Sequence, residues 1–544
     1  MVSKVDAVAT PFEGGKGAAL PAGLSRISGD LLRRLLLREV PVPADCPLKL
    51  SSRGARLEDA LVEGDLDLTA VSFSLPISFE RCVFAESILL SEAKLGSVSF
   101  VGGQAVRIEA QGTQVDGNLS FKGITLQNPG GFALSAQDLY VRGSVAFSDN
   151  FVAEGAVNLQ RMKVGGALMV RQAQFRNPSS RERNEALLVP DVAALHLLNA
   201  RIGAVVYFGP DVLVEGFVAA AGIRVENAFV IWNGVSVTAG RATLSGISFL
   251  NGTFTDALVI TGIRRFEGTF DLQGATTAAI AEDCTLWRDP ATGEIRENTS
   301  IELDGLIYKT FLHPVDGPLD ISWQTRLQWL KMQRRENWTV DFHPQPFTQC
   351  AEVLRNMGNT HDASMLLFER ERLRLRSRNV GWWEKIGGRA LGIFAGYGYR
   401  TQRALYWAVG VWLVGAVVFG LASQLSQMRP ASEHVIVEAD YQQTGKIPRD
   451  YEPLKPALYS LDLLLPIVEL GQERFWLPRD AGERNPNAAA AFPRLPSWTA
   501  RALDWLIGGW LPKAYYYFEI AMGWVLITTA IAGFSGHLRR GEKD

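Results

Sequence analysis

The pattern of apolar and polar positions changes twice along this chain of 544 residues. Before about residue 318, a short unit recurs in which a glycine is followed by apolar residues at every second position. The unit occupies positions 64–68, 117–121, 143–147, 155–159, 166–170 and 268–272. Apolar residues at alternate positions predict strands with one buried face. We expect the glycine before each strand to form a tight corner at which φ is positive.

Short strands that recur with a turn between them predict a parallel β-solenoid over residues 46–318. Because one coil cannot bury its own inward face, stacked coils form the core and the two ends need caps. Within the N-terminal segment 1–45, the amphipathic stretch 30–39 begins with Asp30, a favoured N-cap residue, and is predicted to be a capping helix. An antiparallel β-sandwich is the alternative, although its strands are usually longer and lack a repeated glycine corner.

From about residue 320 the apolar period becomes helical, and residues 319–400 predict a helical hairpin followed by a basic, interfacial helix. We expect the cationic and tryptophan side chains of this segment to lie at the level of lipid headgroups and to contact anionic lipids. The alternative is a basic helix face that only contacts water. The residues concerned are Arg372, Arg374, Arg376, Trp382, Trp383, Lys385 and Arg400.

Two apolar stretches, 404–423 and 515–536, predict a membrane domain of two spans over residues 401–538. About 20 apolar residues are needed to cross a bilayer core as a helix. Basic residues precede the first stretch and follow the second in the tail 539–544, so both termini are predicted to be cytoplasmic. The segment between the spans, 427–513, is then outside. The N-terminus has no apolar core of a signal peptide, which agrees with a cytoplasmic solenoid.

The segment 455–473 lies between the two stretches and is too short in apolar residues to cross a membrane. Its place is similar to that of the pore loop in tetrameric cation channels that have two spans per subunit. Pro466 would end a half-helix, and Glu469 or Glu473 would form an acidic ring that favours cations. No run like TVGYG follows, so potassium selectivity is not predicted. The candidate pore residues are Pro466, Ile467, Val468, Glu469, Leu470, Gly471, Glu473 and Glu519.

Two alternatives stay open at this point. The segment 455–473 is also typical of an amphipathic helix that lies on the outer leaflet and packs against the spans. Glu519 is a functional candidate because it is ionisable inside a span, but its position also allows it to reach the headgroups, beside the predicted interfacial residues Tyr515 and Tyr516. In the first span, the small residues Gly410, Ala416 and Gly420 predict a face for close helix packing.

Composition narrows the classes of function. The formal net charge of -2 gives no reason to expect nucleic-acid binding. The four cysteines are far apart and the six histidines share no ligand spacing, so we predict no metal site. No glycine-rich phosphate loop follows a strand, and we predict no cofactor and no catalytic site. An enzyme is therefore less favoured than a membrane pore or a membrane-anchored scaffold.

Residues 344–376, 396–400 and 459–473 carry a resemblance to a group of bacterial membrane proteins. That group combines an N-terminal pentapeptide-like or polymer-forming-type β-solenoid, a helical hairpin and two C-terminal transmembrane helices that flank a pore-loop-like segment. The resemblance implies a multi-pass protein of the bacterial inner membrane, but it implies no activity. Two hypotheses follow. The chain is either a homo-oligomeric cation pore regulated or assembled by its solenoid, or a membrane-anchored scaffold that presents the solenoid to a protein partner.

Overall fold

The computed structural model describes residues 23–177, 193–239, 245–314, 319–398, 402–432, 435–436, 447, 450–480 and 510–534. The chain divides into two compact units, Met1–Leu366 and Leu367–Asp544. We call the strand-rich part of the first unit, residues 25–312, the β body, and the second unit the helical unit. Arg400 and the predicted tail 539–544 lie outside the described residues.

The strands of the β body are short and follow one another closely. The first half contains β1 (Ser25–Ser28), β2 (Leu48–Ser51), β3 (Gly54–Glu58), β4 (Ala60–Glu63), β5 (Leu66–Asp67), β6 (Ser72–Phe73), β7 (Ile77–Glu80), β8 (Val83–Leu89), β9 (Lys94–Leu95), β10 (Val98–Val101), β11 (Gln104–Glu109), β12 (Gln114–Val115), β13 (Leu119–Lys122), β14 (Thr125–Ser135), β15 (Tyr140–Val141), β16 (Val145–Ser148) and β17 (Phe151–Asn158). The second half contains β18 (Lys163–Val164), β19 (Leu168–Val170), β20 (Ala173–Arg176), β21 (Ala193–His196), β22 (Arg201–Ile202), β23 (Val206–Phe208), β24 (Leu213–Glu215), β25 (Phe217–Ala219), β26 (Arg224–Val225), β27 (Phe229–Thr238), β28 (Gly246–Ser248), β29 (Thr253–Phe266), β30 (Gly268–Asp271), β31 (Thr276–Glu282), β32 (Thr299–Glu302) and β33 (Thr310–Leu312).

These strands pair with the equivalent strand of the next coil, in parallel and in register. Along one ladder, Phe79 aligns with Phe100, Phe100 with Phe121 and Phe121 with Phe147. The rings of these buried residues stack with centroids 5.2, 5.4 and 5.0 Å apart. The described β body is thus mainly β with a large parallel sheet, which is consistent with the predicted solenoid. Parallel pairing contradicts the antiparallel sandwich; β2 with β3 is the antiparallel exception in the described part of this sheet.

The predicted glycine corners have two different physical causes. Gly64, Gly155 and Gly268 have positive φ angles of 77°, 126° and 110°, as predicted. Gly143 does not; instead its N–H donates to the carbonyl of Gly117 in the preceding coil at 3.0 Å. A Cβ atom at position 143 would lie 2.6 Å from that oxygen. At this corner glycine is required by the close approach of two coils and not by backbone conformation.

A second corner of the coils holds one residue in the left-handed region. The N–H of Asp138 there donates to the carbonyl of Gln160 in the next coil at 2.9 Å, and the guanidinium of Arg161 binds the Asp138 carboxylate at 2.6 Å. Residue type varies widely at this corner, although a positive φ favours glycine and asparagine. The left-handed residues are Ala70, Glu92, Gly112, Asp138, Arg161, Asn199, Gly222, Asn251, Gly274 and Gly305.

Helix α1 (Gly29–Leu36) lies at the first coil, where a capping helix was predicted. Its N-cap is Ser28 and not Asp30, because the Ser28 hydroxyl accepts the N–H of Leu31 at 3.3 Å. Asp30 instead stands in the first turn, where its charge favours the positive end of the helix dipole. The apolar side of α1, including the fully buried Leu32 and Leu35, faces the β body and covers its first coil.

The other end of the β body is covered by helices from the segment 319–400, which was predicted to form a helical hairpin separate from the solenoid. These are α2 (Trp323–Lys331), α3 (Glu336–Thr339) and α4 (Gln345–Asn356). The next helix, α5 (Thr360–Arg374), continues into the helical unit. In α4, the Gln345 side chain accepts the N–H of Gly305 at 2.9 Å and donates to the carbonyl of Leu306 at 3.1 Å. Gln349 donates to the carbonyl of Tyr308 at 2.7 Å. Helix α4 thereby pairs backbone groups of the last coil that would otherwise be open to another chain.

The helical unit contains a short apolar helix and longer ones. Its elements are α6 (Trp382–Ala395), a 3-10 turn (Gly396–Gly398), α7 (Gln402–Gln424), α8 (Pro456–Leu464), α9 (Leu511–Phe534) and the antiparallel pair β34 (Met428–Pro430) and β35 (Trp476–Pro478). Among the described residues, only α7 is long and apolar enough, by length and composition, to cross a membrane. Helix α9 covers most of the second predicted span, 515–536. That α9 crosses a membrane stays a prediction.

Candidate functional site at the junction of helices α7, α8 and α9

Helix α8 is built from the segment that was compared with a pore helix, and it packs against both α7 and α9. Pro456 occupies its first turn, where the missing N–H of proline costs nothing. The fully buried Tyr459 meets the ring of Phe419 edge-on at 4.8 Å. Leu464 at its end packs with Val411 of α7 and Leu526 of α9. The short helix is therefore embedded between the two long ones in the helical unit.

Two glycines allow this close approach. A Cβ atom at Gly415 of α7 would lie 2.3 Å from the Ser460 hydroxyl and 2.5 Å from the Glu519 carboxylate. A Cβ atom at Gly523 of α9 would lie 2.4 Å from the carbonyl of Leu464. Small residues at such positions are the usual means by which apolar helices pack tightly.

The centre of the junction is polar. The Ser460 hydroxyl lies 2.5 Å from Oε1 of Glu519 and 3.0 Å from the carbonyl of Trp412, and Ser460 and Glu519 are completely buried. A hydroxyl has one proton to donate, yet both of these oxygens are acceptors when Glu519 is ionised. A proton on the Glu519 carboxyl would allow Glu519 to donate to Ser460 and Ser460 to donate to Trp412. These two hydrogen bonds link Trp412 of α7, Ser460 of α8 and Glu519 of α9.

Two further hydrogen bonds join the same helices. The indole N–H of Trp412 donates to the carbonyl of Ala457 at 2.9 Å, from α7 to α8. The hydroxyl of Tyr515 donates to the carbonyl of Val411 at 2.7 Å, from α9 to α7. Tyr515, predicted as an interfacial residue, thus also anchors α9 to α7.

The loop after α8 folds back onto the helix. The buried carboxylate of Asp462 accepts the N–H of Leu470 at 2.6 Å and that of Glu473 at 2.8 Å. The buried side chain of Gln472 accepts the N–H of Lys455 at 2.9 Å. Gly471, with φ of 85°, permits the turn between these contacts. Asp462 and Gln472 therefore fix the loop from inside.

The candidate pore residues lie mostly on the outside of this loop. Helix α8 ends at Leu464, two residues before Pro466, as expected because a proline disfavours helix in the residue before it. Ile467 is 67% exposed and Val468 is 49% exposed. Glu469 is also exposed and forms an ion pair with Arg474. Glu469 was predicted as a possible member of an acidic ring, and in the structure its carboxylate is paired with Arg474.

Glu473 and Glu519 lie in different surroundings. Glu473 is exposed and accepts a hydrogen bond from the hydroxyl of Tyr516 at 3.1 Å, which ties the loop to α9. Glu519 is buried at its contact with Ser460, with no exposed surface. The structure therefore brings Glu519 to the junction and leaves Ile467, Val468 and Glu469 on the surface of the unit.

The small residues predicted to mark a packing face differ in their surroundings. A Cβ atom at Gly410 would meet nothing within 4 Å, and at Gly420 its nearest contact would be Pro456 at 3.9 Å. Ala416 is half-buried. The close contact with α8 is made by Gly415.

The predicted interfacial residues between positions 372 and 385 lie in α5, in the turn after it and in α6. Trp382 and Trp383 are 59% and 70% exposed, and their rings stack with centroids 3.5 Å apart. Arg374 binds the carboxylate of Glu371 at 2.9 Å. Lys385 is half-buried, while Arg372 and Arg376 are exposed.

Sequence reasoning missed Ser460, Trp412 and Asp462. A hydroxyl and a carboxyl inside the apolar run 456–465 were the available signal, because such groups need partners when they are buried. Among the described residues, no cluster of histidine, cysteine, aspartate or glutamate could hold a metal ion.

Comparison with protein-family models, with curated proteins and with solved structures gives no match for this chain.

Proposed function

We propose that this chain is a subunit of a homo-oligomeric cation pore in a bacterial inner membrane, with a cytoplasmic β body that assembles or regulates it. In this proposal α7 and α9 are the two spans, and both termini are cytoplasmic. The observation that carries the proposal is the position of α8, a short apolar helix held between two long ones by the buried contact of Ser460 with Glu519. A simple anchor has no need of such a helix.

The exposed loop after α8 supports assembly from several copies. Ile467 and Val468 are apolar and exposed in the single chain. Two spans cannot enclose a conduit, so several subunits must surround an axis, and these side chains would then contact neighbouring copies. Exposed apolar surface of this kind marks a site of association.

Charge in the conduit would be set by the pair of Glu469 and Arg474. Rings of acidic side chains favour cations and rings of basic side chains favour anions. Because Arg474 lies against Glu469 in the loop, removal of either partner should change selectivity in opposite directions.

The test is ion flux through purified full-length protein in liposomes, measured with a potassium gradient and a voltage-sensitive dye. We expect cation flux in the unaltered protein, lower cation preference in Glu469→Gln and higher cation preference in Arg474→Gln. Glu452→Gln is the matched control, since Glu452 is paired with Lys455 outside the loop. Equal behaviour of all three variants would contradict a role for this loop in conduction.

Oligomer size in detergent provides an independent test. Light scattering should give a mass of several subunits. A monomer together with no flux under varied voltage, pH and calcium would overturn the pore. The chain would then be a membrane-anchored scaffold whose β body binds a protein partner.

A further inference from the structure

A cavity of about 410 Å³ lies in the helical unit, between the end of α5, helix α6 and the first turn of α7. Four arginines line it, Arg372, Arg376, Arg389 and Arg403. They come from α5 and the turn after it, from α6 and from α7, so that the chain fold and not a single basic run brings them together. Among the described residues, no carboxylate lines this arginine cavity.

The remaining wall of the arginine cavity is apolar and aromatic. The rings of Phe368 and Tyr397 lie with centroids 5.3 Å apart, and Ile393 is 53% exposed. Glycine at position 392 leaves room for the ring of Tyr397, because a Cβ atom there would lie 2.5 Å from it. Tyr397 itself is in the left-handed region with φ of 57°, after Gly396 at the end of α6. The turn is thus shaped to place this ring in the wall.

The arginines differ in how far their charge is compensated. Arg403 donates to the carbonyl of Gly392 at 3.3 Å, and its guanidinium carbon lies 5.4 Å from the ring centre of Phe368. Arg372 binds Glu369 at 3.2 Å. Within the described residues, Arg376 and Arg389 form no ion pair. The lining therefore carries an excess of positive charge, which Arg376 and Arg389 supply without an ion pair among the described residues.

We propose that the arginine cavity binds the phosphate group of an anionic ligand, with the apolar wall holding the part next to that group. The guanidinium fork matches phosphate oxygens in geometry and charge. An anionic phospholipid headgroup has both features. Arg403 stands in the first turn of α7, which is long and apolar enough to cross a membrane. If α7 spans the membrane, as the proposed function has it, the cavity would lie at the depth of the headgroups. This site is separate from the junction of α7, α8 and α9, and it does not require that the protein conducts ions.

The experiment measures binding to full-length protein in a neutral detergent by microscale thermophoresis. Three probes are compared: short-chain phosphatidic acid, inorganic phosphate and short-chain phosphatidylcholine. We expect saturable binding of phosphatidic acid, and binding weaker by about tenfold or more in Arg376→Gln with Arg389→Gln. Arg378→Gln is the matched control, because Arg378 is an exposed arginine two positions from Arg376 that does not line the cavity. It should bind as the unaltered protein does.

The probes separate the two sources of the phosphate group. Competition of inorganic phosphate with phosphatidic acid at similar concentration would assign the site to free phosphate compounds. Binding of phosphatidic acid without such competition would assign it to lipid. Equal binding of phosphatidylcholine, or equal loss in the Arg378→Gln control, would overturn the proposal.

A second variant shows whether a loss of binding comes from the site itself or from a change in folding. Ile393→Glu places a carboxylate at the wall without removing any arginine, and the exposed position tolerates a polar side chain. It should weaken phosphatidic acid binding by about tenfold at an unchanged melting temperature. Unchanged binding in this variant would also count against the site.

Discussion

The guanidinium of Arg326 lies 2.8 Å from the carboxylate of Glu282, and the two side chains are only 1% and 2% exposed. The same guanidinium donates to the carbonyl of Asp320 at 2.6 Å and stacks over the ring of Phe311 at 4.4 Å. The second carboxylate oxygen of Glu282 accepts the indole N–H of Trp287 at 2.5 Å. This pair joins α2 to the end of the β body.

Arg326→Met should destabilise the β body by about 3–5 kcal/mol, because it leaves the Glu282 charge buried without its partner. The measurement is thermal unfolding followed by near-ultraviolet circular dichroism, which reports the packing of buried tryptophans. Adding Glu282→Gln to this variant should restore much of the loss, since glutamine carries no charge and still accepts from Trp287.

Arg161→Met is the control for that prediction. Arg161 binds Asp138 at 2.6 Å, but both side chains are more than half exposed, and its loss should cost at most about 1 kcal/mol. Equal effects of the Arg326 and Arg161 substitutions would show that burial does not decide the strength of these pairs.

Gly143→Ala should destabilise the β body strongly, because the new Cβ atom would lie 2.2 Å from the Asn118 side chain and 2.6 Å from the Gly117 carbonyl. We expect a loss of several kcal/mol, since the two coils must separate. Gly130→Ala is the comparison. It meets nothing within 4 Å and should cost only the strain of its positive φ, about 1–2 kcal/mol. A larger shift of the melting temperature in Gly130→Ala would contradict the role of close coil contact.

Gly415→Ala should loosen the junction of α7, α8 and α9, while Gly410→Ala on the same helix should not. The added methyl group at 415 would overlap the Ser460 hydroxyl and the Glu519 carboxylate, at a cost of about 1–3 kcal/mol. At 410 it meets open space. Melting followed by tryptophan fluorescence in one detergent should therefore separate the two variants. Equal melting temperatures would mean that α8 does not pack there in solution.

Three of the thiols, those of Cys46, Cys82 and Cys350, should react at very different rates. Burial raises the pKa of Cys350 to about 11 and that of Cys82 to about 12. With a pKa near 11, only about one thiol in ten thousand is ionised at pH 7, and the thiolate is the reactive form. Cys46 is half-buried and its pKa is also raised by burial, but it is accessible to a reagent.

Brief treatment of the native protein with iodoacetamide at pH 7.5, read by peptide mass spectrometry, should label Cys46 before Cys82 and Cys350. Denaturant should remove the difference. Fast labelling of Cys350 in the native protein would show that α4 opens readily from the end of the β body.

The strands of the β body could be predicted because alternation of apolar residues is a local property of the chain. The corners could be predicted only in part. Glycine at 143 serves a contact with the preceding coil, and the left-handed corner accepts Glu92 and Arg161 as well as glycine. A contact between coils depends on which residues become neighbours, and the sequence alone does not show this.

The junction of α7, α8 and α9 and the arginine cavity were harder still to predict, because their residues come from distant parts of the chain. Ser460 and Glu519 meet across 59 positions of chain, and the arginine cavity joins Arg372 to Arg403 through a turn made by Tyr397. The basic run and the apolar segment were each visible in the sequence as candidates for membrane contact. Their geometry follows from helix packing, which a single sequence does not reveal.

The register of the parallel ladder bears on how this protein can change during evolution. Val98 aligns with Ile77 after one short coil, whereas Val206 aligns with Leu168 after a much longer one. The ladder continues through both without loss of pairing. Extra residues can therefore be accepted between strands while the rungs are inherited unchanged, so that related chains could differ greatly in length and outer surface yet share one core.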